Sequence, residues 1–477
     1  MKRERRAPKL SNIQILVSAM VFVVFGLIIV SYFRYILVAG SREPIMDFFR
    51  WIAWFGERIH SGTMSFVDFF SDSNEQVQPL ALAIDFYALE AARYDFFGAL
   101  VLSGAVLKGL ASLALVALFF RETKRSRRFS AMAFTAVISI CILLACLNLN
   151  QWELIAEPFG LTCAIRLVCF FGVFELLSKC LRRIFDYSFR MQVLTVIAIS
   201  FLAAAVSLLM SGAYFVAFLG AMSVAFLWAC VSGRKKLEKK HIVLALIWAA
   251  AVLGCVAVYV SYAGNAATQS VGIGAALFAY VKGFIVYLGC TIVPQSISET
   301  DLSAFYIAGT LLLIVGIETV LIYLFYGLQD KSYMPILLMA YAVVNGLIIA
   351  VARVPAYGAG GLASSRYTVE SLLGIVGMLW AWGIIHSYVE MSRAAKASMW
   401  VVAILIAVCT VNCYRVEARI APYRAAYNAG IREVILNAEA ASDEELAICQ
   451  SEPVYVRETS AFLDTYDLSV FAEEAQP

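Results

Sequence analysis

The sequence predicts an all-α fold, a polytopic transmembrane helical bundle of about eleven or twelve spans with a long first outer loop and a small C-terminal appendage. Hydrophobic residues make up 62% of the 477-residue chain and charged residues 15%. No soluble domain of this length has that balance. The apolar residues also occur in long runs, and roughly 20 in a row let a helix cross the hydrocarbon layer with its backbone polar groups satisfied internally.

Eleven apolar segments are long enough to be predicted as spans. They are residues 13–38, 97–120, 131–147, 159–177, 191–210, 213–231, 242–260, 306–326, 334–351, 372–385 and 397–411. A further segment, residues 275–293, is ambiguous because Lys282 interrupts it.

The distribution of Lys and Arg predicts the orientation, because short cytoplasmic loops are enriched in both. The basic start of the chain and residues 121–128, 179–190 and 234–240 are therefore placed in the cytoplasm. We expect a multi-pass protein of the bacterial inner (cytoplasmic) membrane with a cytoplasmic N-terminus. The length of the first segment and its internal Arg34 favour a retained anchor over a signal peptide.

Residues 275–293 allow two topologies. If the segment dips into the membrane and returns, residues 353–366 and the tail lie outside with the first loop. If it crosses, Glu299 and Asp301 lie in an inside loop that has no Lys or Arg. The basic-residue rule favours the returning version.

Composition divides the chain into residues 1–12, a basic cytoplasmic N-terminus, residues 13–413, the transmembrane domain, and residues 414–477, an extramembrane tail. Within the tail, Ser442 and Glu445 have the spacing of a capping box, which predicts a short helix that ends by Pro453. The eleven Cys are scattered and do not indicate a disulfide framework.

The loop of residues 41–93 is the most informative polar segment. Residues 45–55 have apolar side chains at helical spacing, which predicts an amphipathic helix in the membrane interface with Trp51 and Trp54 in the headgroup layer. Carboxylates follow through the loop, and such groups at the mouth of a bundle can deprotonate a hydroxyl or hold a divalent cation. A solvated acidic loop would have the same composition.

Several functional classes lack support. The net charge of +3 is explained by the inside loops and implies no nucleic-acid partner. The sequence contains no His-Glu-x-x-His, Cys-x-x-Cys or Walker motif, so a zinc hydrolase or an ATP-driven pump is not indicated.

At three places the chain resembles the bacterial multi-spanning proteins related to GT-C glycosyltransferases, which use polyprenyl-phosphate sugars. In the first loop, Asp47 is followed by Asn74-Glu75-Gln76-Val77 and then Asp85, similar to the family's loop with an Asn-Glu-His-Arg motif. The chain departs from the family where Gln76-Val77 replaces His-Arg. Because of that departure, a degenerate family member that only binds glycolipid is an alternative.

The other two places lie later in the chain. Gln151-Trp152-Glu153-Leu154 is similar to the family's Gln-x-Glu-Asn-Leu motif, and Ser365-Arg366-Tyr367 is similar to its Ser-Arg-Tyr before a late span. The resemblance implies transfer of a sugar from a polyprenyl-phosphate donor to a glycan, lipid or protein acceptor on the outer face.

The resemblance also implies roles for residues. Asp47 is the candidate base, with Glu75 and Asp85 supporting it or binding a metal; a divalent cation is possible, and the cofactor is otherwise unknown. Arg353 and Arg366 suit the lipid phosphate, because guanidinium groups match phosphate oxygens in two-point geometry. The remaining substrate-binding candidates are Asn74, Gln76, Glu153, Arg166 and Tyr367.

Arg166 is one of five charged residues within predicted spans, where a charge is costly and usually faces a cavity; the others are Lys108, Glu175, Lys282 and Glu318. Two rival functions share these features. A carrier or flippase for lipid-linked sugars would bind the same headgroup without a base, but would be expected to show internal repeats. An O-antigen polymerase or ligase would be expected to carry its large loop late in the chain.

Overall fold

The protein is an all-α polytopic bundle in the computed structural model, which describes residues 12–70, 72–73, 76–123, 129–210, 212–232, 239–262, 273–298 and 300–474. Within these residues, eleven helices are long and apolar enough to cross a membrane, which confirms the predicted set. They are α1 (Asn12–Ala39), α4 (Ser103–Glu122), α5 (Phe129–Cys146), α7 (Gly160–Leu181), α8 (Phe189–Leu209), α9 (Gly212–Ser232), α10 (Lys239–Tyr262), α12 (Ser303–Phe325), α13 (Met334–Tyr357), α14 (Ser365–Tyr388) and α15 (Arg393–Leu436).

Shorter elements connect the spans. They are α2 (Asp47–His60), α3 (Pro79–Glu90), α6 (Glu153–Ala156), α11 (Ile273–Gly289), α16 (Asp443–Leu446), α17 (Pro453–Thr465) and α18 (Val470–Glu474). The π-helical turn Phe96–Leu102 leads into α4. The two-residue strands β1 (Asp72–Ser73) and β2 (Gln76–Val77) form an antiparallel pair in the first loop.

One end of the bundle, here called the loop face, carries the first loop. The Ser41 N–H donates to the Ala156 carbonyl at 2.7 Å, which joins the end of α1 to the loop between α5 and α7. Trp152 of that loop donates to the Gln295 side chain at 2.7 Å, just before α12. Segments from the early, middle and late parts of the chain therefore meet at this face.

The opposite end, here called the basic face, joins the other set of loops. Arg182, after α7, donates to the Lys331 carbonyl at 2.7 Å. The Tyr333 N–H donates to the Ser178 hydroxyl at 2.9 Å. The segment between α12 and α13 thus lies with the end of α7, so α12 runs from the loop face to the basic face.

Helix α11 does not add a crossing. Helix α10 begins at the basic face, where His241 packs on Phe185 with ring centroids 5.0 Å apart, and its 24 residues are long enough to reach the loop face. The far end of α11 is at the loop face as well, because Asn150 donates to the Cys290 carbonyl at 2.5 Å. The chain therefore has the returning arrangement that the basic-residue rule favours.

Helix α14 lies at the centre of the bundle and packs on α5 and α13. Small residues let other pairs of helices approach closely, as at Gly104 of α4, where a Cβ atom would overlap the backbone of Gly160 in α7. The eleven cysteines, all within the described residues, are unbridged and mostly buried.

The tail packs on the first loop, and the burial of Trp51 corrects its predicted position in the headgroup layer, whereas Trp54 is still 38% exposed. Trp51 is only 1% exposed and lies in an aromatic cluster against Phe159. Trp54 stacks edge-on against Tyr455 of the tail. Helix α2 is amphipathic as predicted, but its apolar face is buried against protein because α17 covers it.

Helix α15 continues without a break through the predicted domain boundary at residue 413 and ends at Leu436. Beyond it, Ser442 and Glu445 form the predicted capping box at the start of α16. Pro453 has a different role from the predicted one, because it occupies the first turn of α17 instead of ending a helix.

The charged residues within the spans divide into two groups. Lys108, Arg166 and Glu175 are buried, and Lys108 and Glu175 each have a polar side-chain partner. Lys282 and Glu318 instead lie on the exposed surface of α11 and α12. The expectation of an inward-facing position is wrong for these two.

Candidate functional site

Two segments that are far apart in the sequence meet at the loop face around the carboxylate of Glu153. Its Oε2 atom accepts hydrogen bonds from the Ser365 hydroxyl at 2.5 Å, the Arg366 backbone N–H at 2.9 Å and the Ser364 hydroxyl at 3.1 Å. The Arg366 Nη2 atom donates to Oε1 at 3.1 Å. We call these four residues the Glu153 cluster. Because Ser365 and Arg366 open α14, Glu153 places an anion at the N-terminus of that helix, where unpaired N–H groups favour it.

Glu153 is held in its ionised form. Burial raises the pKa of its carboxyl, but the charge of Arg366 and the hydrogen bonds from Ser365 and Arg366 outweigh burial and lower the pKa below its ordinary value. Its oxygens are already occupied by donors from α14. Glu153 therefore fixes the position of Arg366 and is a poor proton acceptor.

Arg366 links this cluster to the first loop. Its Nη2 atom lies 3.4 Å from the Met46 sulfur, directly before the Asp47 that opens α2. The Arg366 side chain is still 41% exposed. A guanidinium has five N–H donors, so Arg366 keeps donors that can bind an anion from the loop-face side.

The tail holds the start of α2 in place. Met46 has a positive φ of 52°, which is uncommon for a residue other than glycine. Its N–H donates to the Cys449 carbonyl at 3.3 Å, and its carbonyl accepts from the Gln450 side chain at 2.8 Å. These contacts set the direction in which α2 begins, and with it the position of the half-buried Asp47.

A cavity of about 220 Å³, here called the loop-face cavity, lies beside the Glu153 cluster. It is bounded by the end of α1, the loop after α5 and the middle of α15, and is lined by Ala39, Trp152, Ala156, Glu157, Ile420, Tyr423, Arg424, Tyr427 and Asn428. The Arg424 guanidinium lies 3.4 Å from the centre of the Trp152 ring and forms a 2.7 Å ion pair with Glu417.

Glu157 is the acid that lines this cavity. It is only 6% exposed, and its carboxyl makes no hydrogen bond or ion pair with another described residue. Burial raises the pKa of Glu157 well above its ordinary value, and the neighbouring Glu153 adds to that, while Arg366 and Arg424 act in the opposite direction. Glu157 lines the cavity and lies four residues after Glu153 in the chain.

Asp85 does not join this site. It is fully buried in the cluster of apolar residues between α2, α3 and the π-helical turn, and it accepts a 3.2 Å hydrogen bond from the Tyr94 hydroxyl. Burial raises its pKa to about 7, although the bond from Tyr94 works against that. The structure therefore offers no route by which Asp85 would support a base or bind a metal.

The burial of Asp85 leads to a pH-dependent prediction. Because its pKa is about 7 when folded and near 3.8 when unfolded, ionisation favours the unfolded chain as pH rises from about 4 to 7. A difference of one pKa unit corresponds to about 1.4 kcal/mol. We expect Asp85→Asn to raise the thermal unfolding temperature in detergent by several degrees at pH 8 and by much less at pH 5. An equal change at both pH values would contradict the buried-carboxyl account.

Other predicted residues lie elsewhere. Asn74 and Glu75 are outside the described residues, and Gln76 is described only through its backbone in β2, opposite Ser73. Among the described residues, no group of three or more His, Cys, Asp or Glu is arranged to hold a metal ion.

Arg166 and Arg353 lie away from the Glu153 cluster, and Tyr367 joins it only through its backbone N–H, which donates to the Ser364 carbonyl at 3.1 Å. Arg166 forms a 2.5 Å ion pair with Glu370 inside the bundle, so its charge is already matched. Arg353 lies near the loop-face end of α13, 5.9 Å from the centre of the Tyr357 ring. Tyr367 is buried in an apolar cluster with residues of α11.

The sequence did not single out Glu157 or Arg424 as site residues. Glu157 is followed by a proline and lies in a short polar loop, so its position gives only a weak signal. Arg424 lies in a long helix rich in arginine, and only the packing of α15 against Trp152 distinguishes it from its neighbours.

Comparison with known proteins adds no family assignment. No protein-family model, curated protein or solved structure matches this chain. What the molecule does must therefore be argued from the residues that line the loop face.

Proposed function

We propose that the protein transfers a sugar from a polyprenyl-phosphate donor to a hydroxyl of a glycan, lipid or protein acceptor at the loop face. One observation gives the proposal its main support. The start of α2, the loop with Glu153 and the Ser364–Arg366 segment converge at one end of the bundle, although they are far apart in sequence. The loop with Glu153 and the Ser364–Arg366 segment include two of the places where the sequence resembles the GT-C-related proteins, and the start of α2 carries Asp47, the first residue of the third.

The location of this site suits a lipid-linked donor. Glu153 and Arg366 lie where membrane-crossing helices end, so a polyprenyl chain in the bilayer would bring its phosphate to the same level. We place the loop face on the outside of a bacterial inner membrane and the N-terminus in the cytoplasm. The support for that orientation is the concentration of Lys and Arg in the short loops of the opposite face.

The chemical step follows from these groups. The acceptor hydroxyl oxygen forms a bond to the anomeric carbon, the bond from that carbon to the phosphate oxygen breaks, and the electron pair leaves with the polyprenyl phosphate. The hydroxyl proton passes to a carboxylate. Arg366 would stabilise the negative charge that develops on the phosphate, because its guanidinium stays charged and can donate two parallel hydrogen bonds. Arg353 is the second candidate for that charge.

Asp47 remains the candidate base. It opens α2 directly after the Met46 that contacts Arg366, so a hydroxyl bound there would lie close to the donor phosphate.

The first test is glycolipid analysis of a host that lacks the protein. We expect one glycan or glycolipid to disappear and to return with the wild type. Asp47→Asn should reduce its return by about 10²-fold, because general-base catalysis contributes on this order. Glu57→Gln, which changes an exposed acid of the same helix, should restore the product fully.

Membrane levels of each variant must match the wild type for this comparison. Full restoration by Asp47→Asn would exclude Asp47 as the base. If the host loses no glycan or glycolipid at all, the transferase proposal itself fails, and a carrier or a binding protein becomes the better account.

A further inference from the structure

The loop-face cavity is lined by one carboxyl, that of Glu157. The carboxyl of Glu157 lines the cavity, is 94% buried with the rest of its residue, and makes no hydrogen bond to another described residue. A buried polar group without a hydrogen bond costs free energy. That cost is relieved when a bound molecule supplies the missing donor.

Most other polar side chains of the cavity have partners. Arg424 pairs with Glu417, Asn428 donates to the Ala39 carbonyl at 3.1 Å, and Tyr427 donates to the Ile448 carbonyl at 3.0 Å. The Arg424 Nε atom, however, is buried without a hydrogen-bond partner among the described residues. A ligand that enters the cavity can therefore hydrogen-bond to the Glu157 carboxyl and accept a hydrogen bond from Arg424.

The charges around Glu157 select the kind of ligand. The charge of Arg424 is already matched by Glu417, so an anionic group would find no unpaired positive charge on the cavity wall. An ammonium group would meet the Arg424 guanidinium on the same wall. A neutral hydroxyl avoids both conflicts and can donate a hydrogen bond to the carboxyl.

The walls suit a sugar ring. Trp152, Tyr423 and Tyr427 place aromatic side chains around the cavity, and the C–H faces of a sugar pack well on such apolar surfaces while its hydroxyls need polar partners. At about 30 Å³ for each water molecule, the 220 Å³ volume holds roughly seven waters. That is the scale of one sugar ring.

We propose that the loop-face cavity binds one sugar ring of the acceptor and that Glu157 accepts a hydrogen bond from a ring hydroxyl. This inference rests on the proposed transfer reaction and adds a binding site for the acceptor. The site adjoins the Glu153 cluster, because Trp152, which directly precedes Glu153 in the chain, lines the cavity. An acceptor held there lies beside the phosphate site of the donor.

Occupancy of the cavity has a test that does not require transfer. Dicyclohexylcarbodiimide reacts with protonated carboxyls in apolar surroundings, and peptide mass spectrometry locates the adduct. We expect labelling of Glu157 in the purified wild type and its loss in Glu157→Gln. In a panel of methyl glycosides, at least one should slow the labelling by about threefold or more, as a ligand present at a few times its Kd would.

Two results of this test would overturn the proposal. If Glu157 is not labelled, its carboxyl does not face an accessible cavity. If it is labelled at the same rate with every glycoside in the panel, the cavity does not bind a sugar ring.

A second experiment separates this site from the proposed reaction. In the host that lacks the protein, Glu157→Leu should restore about tenfold less product than wild type, since leucine is close to glutamate in size but cannot accept a hydrogen bond from the ring hydroxyl. Crosslinking of a photoreactive undecaprenyl phosphate should stay within about twofold of wild type, because the donor site is intact. Glu433→Leu, at an exposed acid of α15, is the control.

The outcomes are distinct. Full product with Glu157→Leu would overturn the acceptor site and leave the transferase proposal standing. Loss of the undecaprenyl phosphate crosslink in Glu157→Leu would assign Glu157 to the donor and not to the acceptor. If wild type neither crosslinks nor restores a glycan, the proposed function fails before the cavity is considered.

Discussion

Replacing Arg366 by alanine is expected to lower sugar transfer by about 10²- to 10³-fold, as loss of one donor to a developing negative charge does in other enzymes. Folding should persist, because Glu153 keeps its hydrogen bonds from the Ser364 and Ser365 hydroxyls and from the backbone at position 366. The measurement is the amount of restored product per amount of protein in the membrane, together with crosslinking of photoreactive undecaprenyl phosphate.

Two further variants serve as comparisons for Arg366→Ala. Arg366→Lys keeps the charge but not the two-point geometry, so we expect an intermediate loss. Arg393→Ala removes an arginine from the start of α15 at the basic face and should leave transfer unchanged. Normal product from Arg366→Ala would mean that this guanidinium only anchors Glu153.

The second large effect concerns the ion pair inside the bundle. Arg166 and Glu370 lie 2.5 Å apart, their side chains are 8% and 0% exposed, and the guanidinium lies 3.6 Å from the centre of the Tyr214 ring. We expect Arg166→Met to lower the free energy of unfolding in detergent by about 3–5 kcal/mol, because it leaves the Glu370 carboxylate buried without its partner.

A double variant distinguishes the pair from the packing around it. Replacing both Arg166 and Glu370 by methionine should recover most of the lost stability, since no unpaired charge remains. Lys179→Met is the control on the same helix, because Lys179 is half exposed and pairs with Glu175 at the basic face. A double variant as unstable as the single one would show that size or shape, not charge, sets the cost.

Hydropathy located the spans because a span depends only on the apolar residues of its own segment. A helix in lipid needs a long apolar segment wherever it packs, so residues 13–38 and 334–351 could be recognised without knowledge of their neighbours. The capping box at Ser442 is equally local, since both partners lie within one turn. The returning course of α11 followed from the basic-residue rule, which is also a property of short loops.

Features that depend on packing could not be predicted in this way. Trp51 had the sequence pattern of an interfacial residue, but the tail helix α17 covers α2 and helps to bury it. Lys282 and Glu318 were expected to face inward, because a charge in a span usually does, but the rotation of a helix is set by its neighbours.

Only part of the candidate site could be predicted, because the site also depends on how distant segments pack together. Glu153 and Arg366 were selected separately by resemblance, and the structure brings them together at 3.1 Å. Glu157 had no distinguishing pattern, because its significance comes from the cavity that α15 closes about 270 residues later in the chain. Asp85 looked like a loop carboxylate and is instead buried against Tyr94.

The most direct test of the transferase proposal uses purified protein reconstituted with a lipid extract from the host that lacks it. Mass spectrometry would follow the conversion of polyprenyl-phosphate sugar to polyprenyl phosphate over time. The account predicts conversion with the wild type, a rate at least about 10²-fold lower with Arg366→Ala, and a glycosylated product in matching amount. An unchanged donor pool in the presence of folded wild-type protein would contradict it.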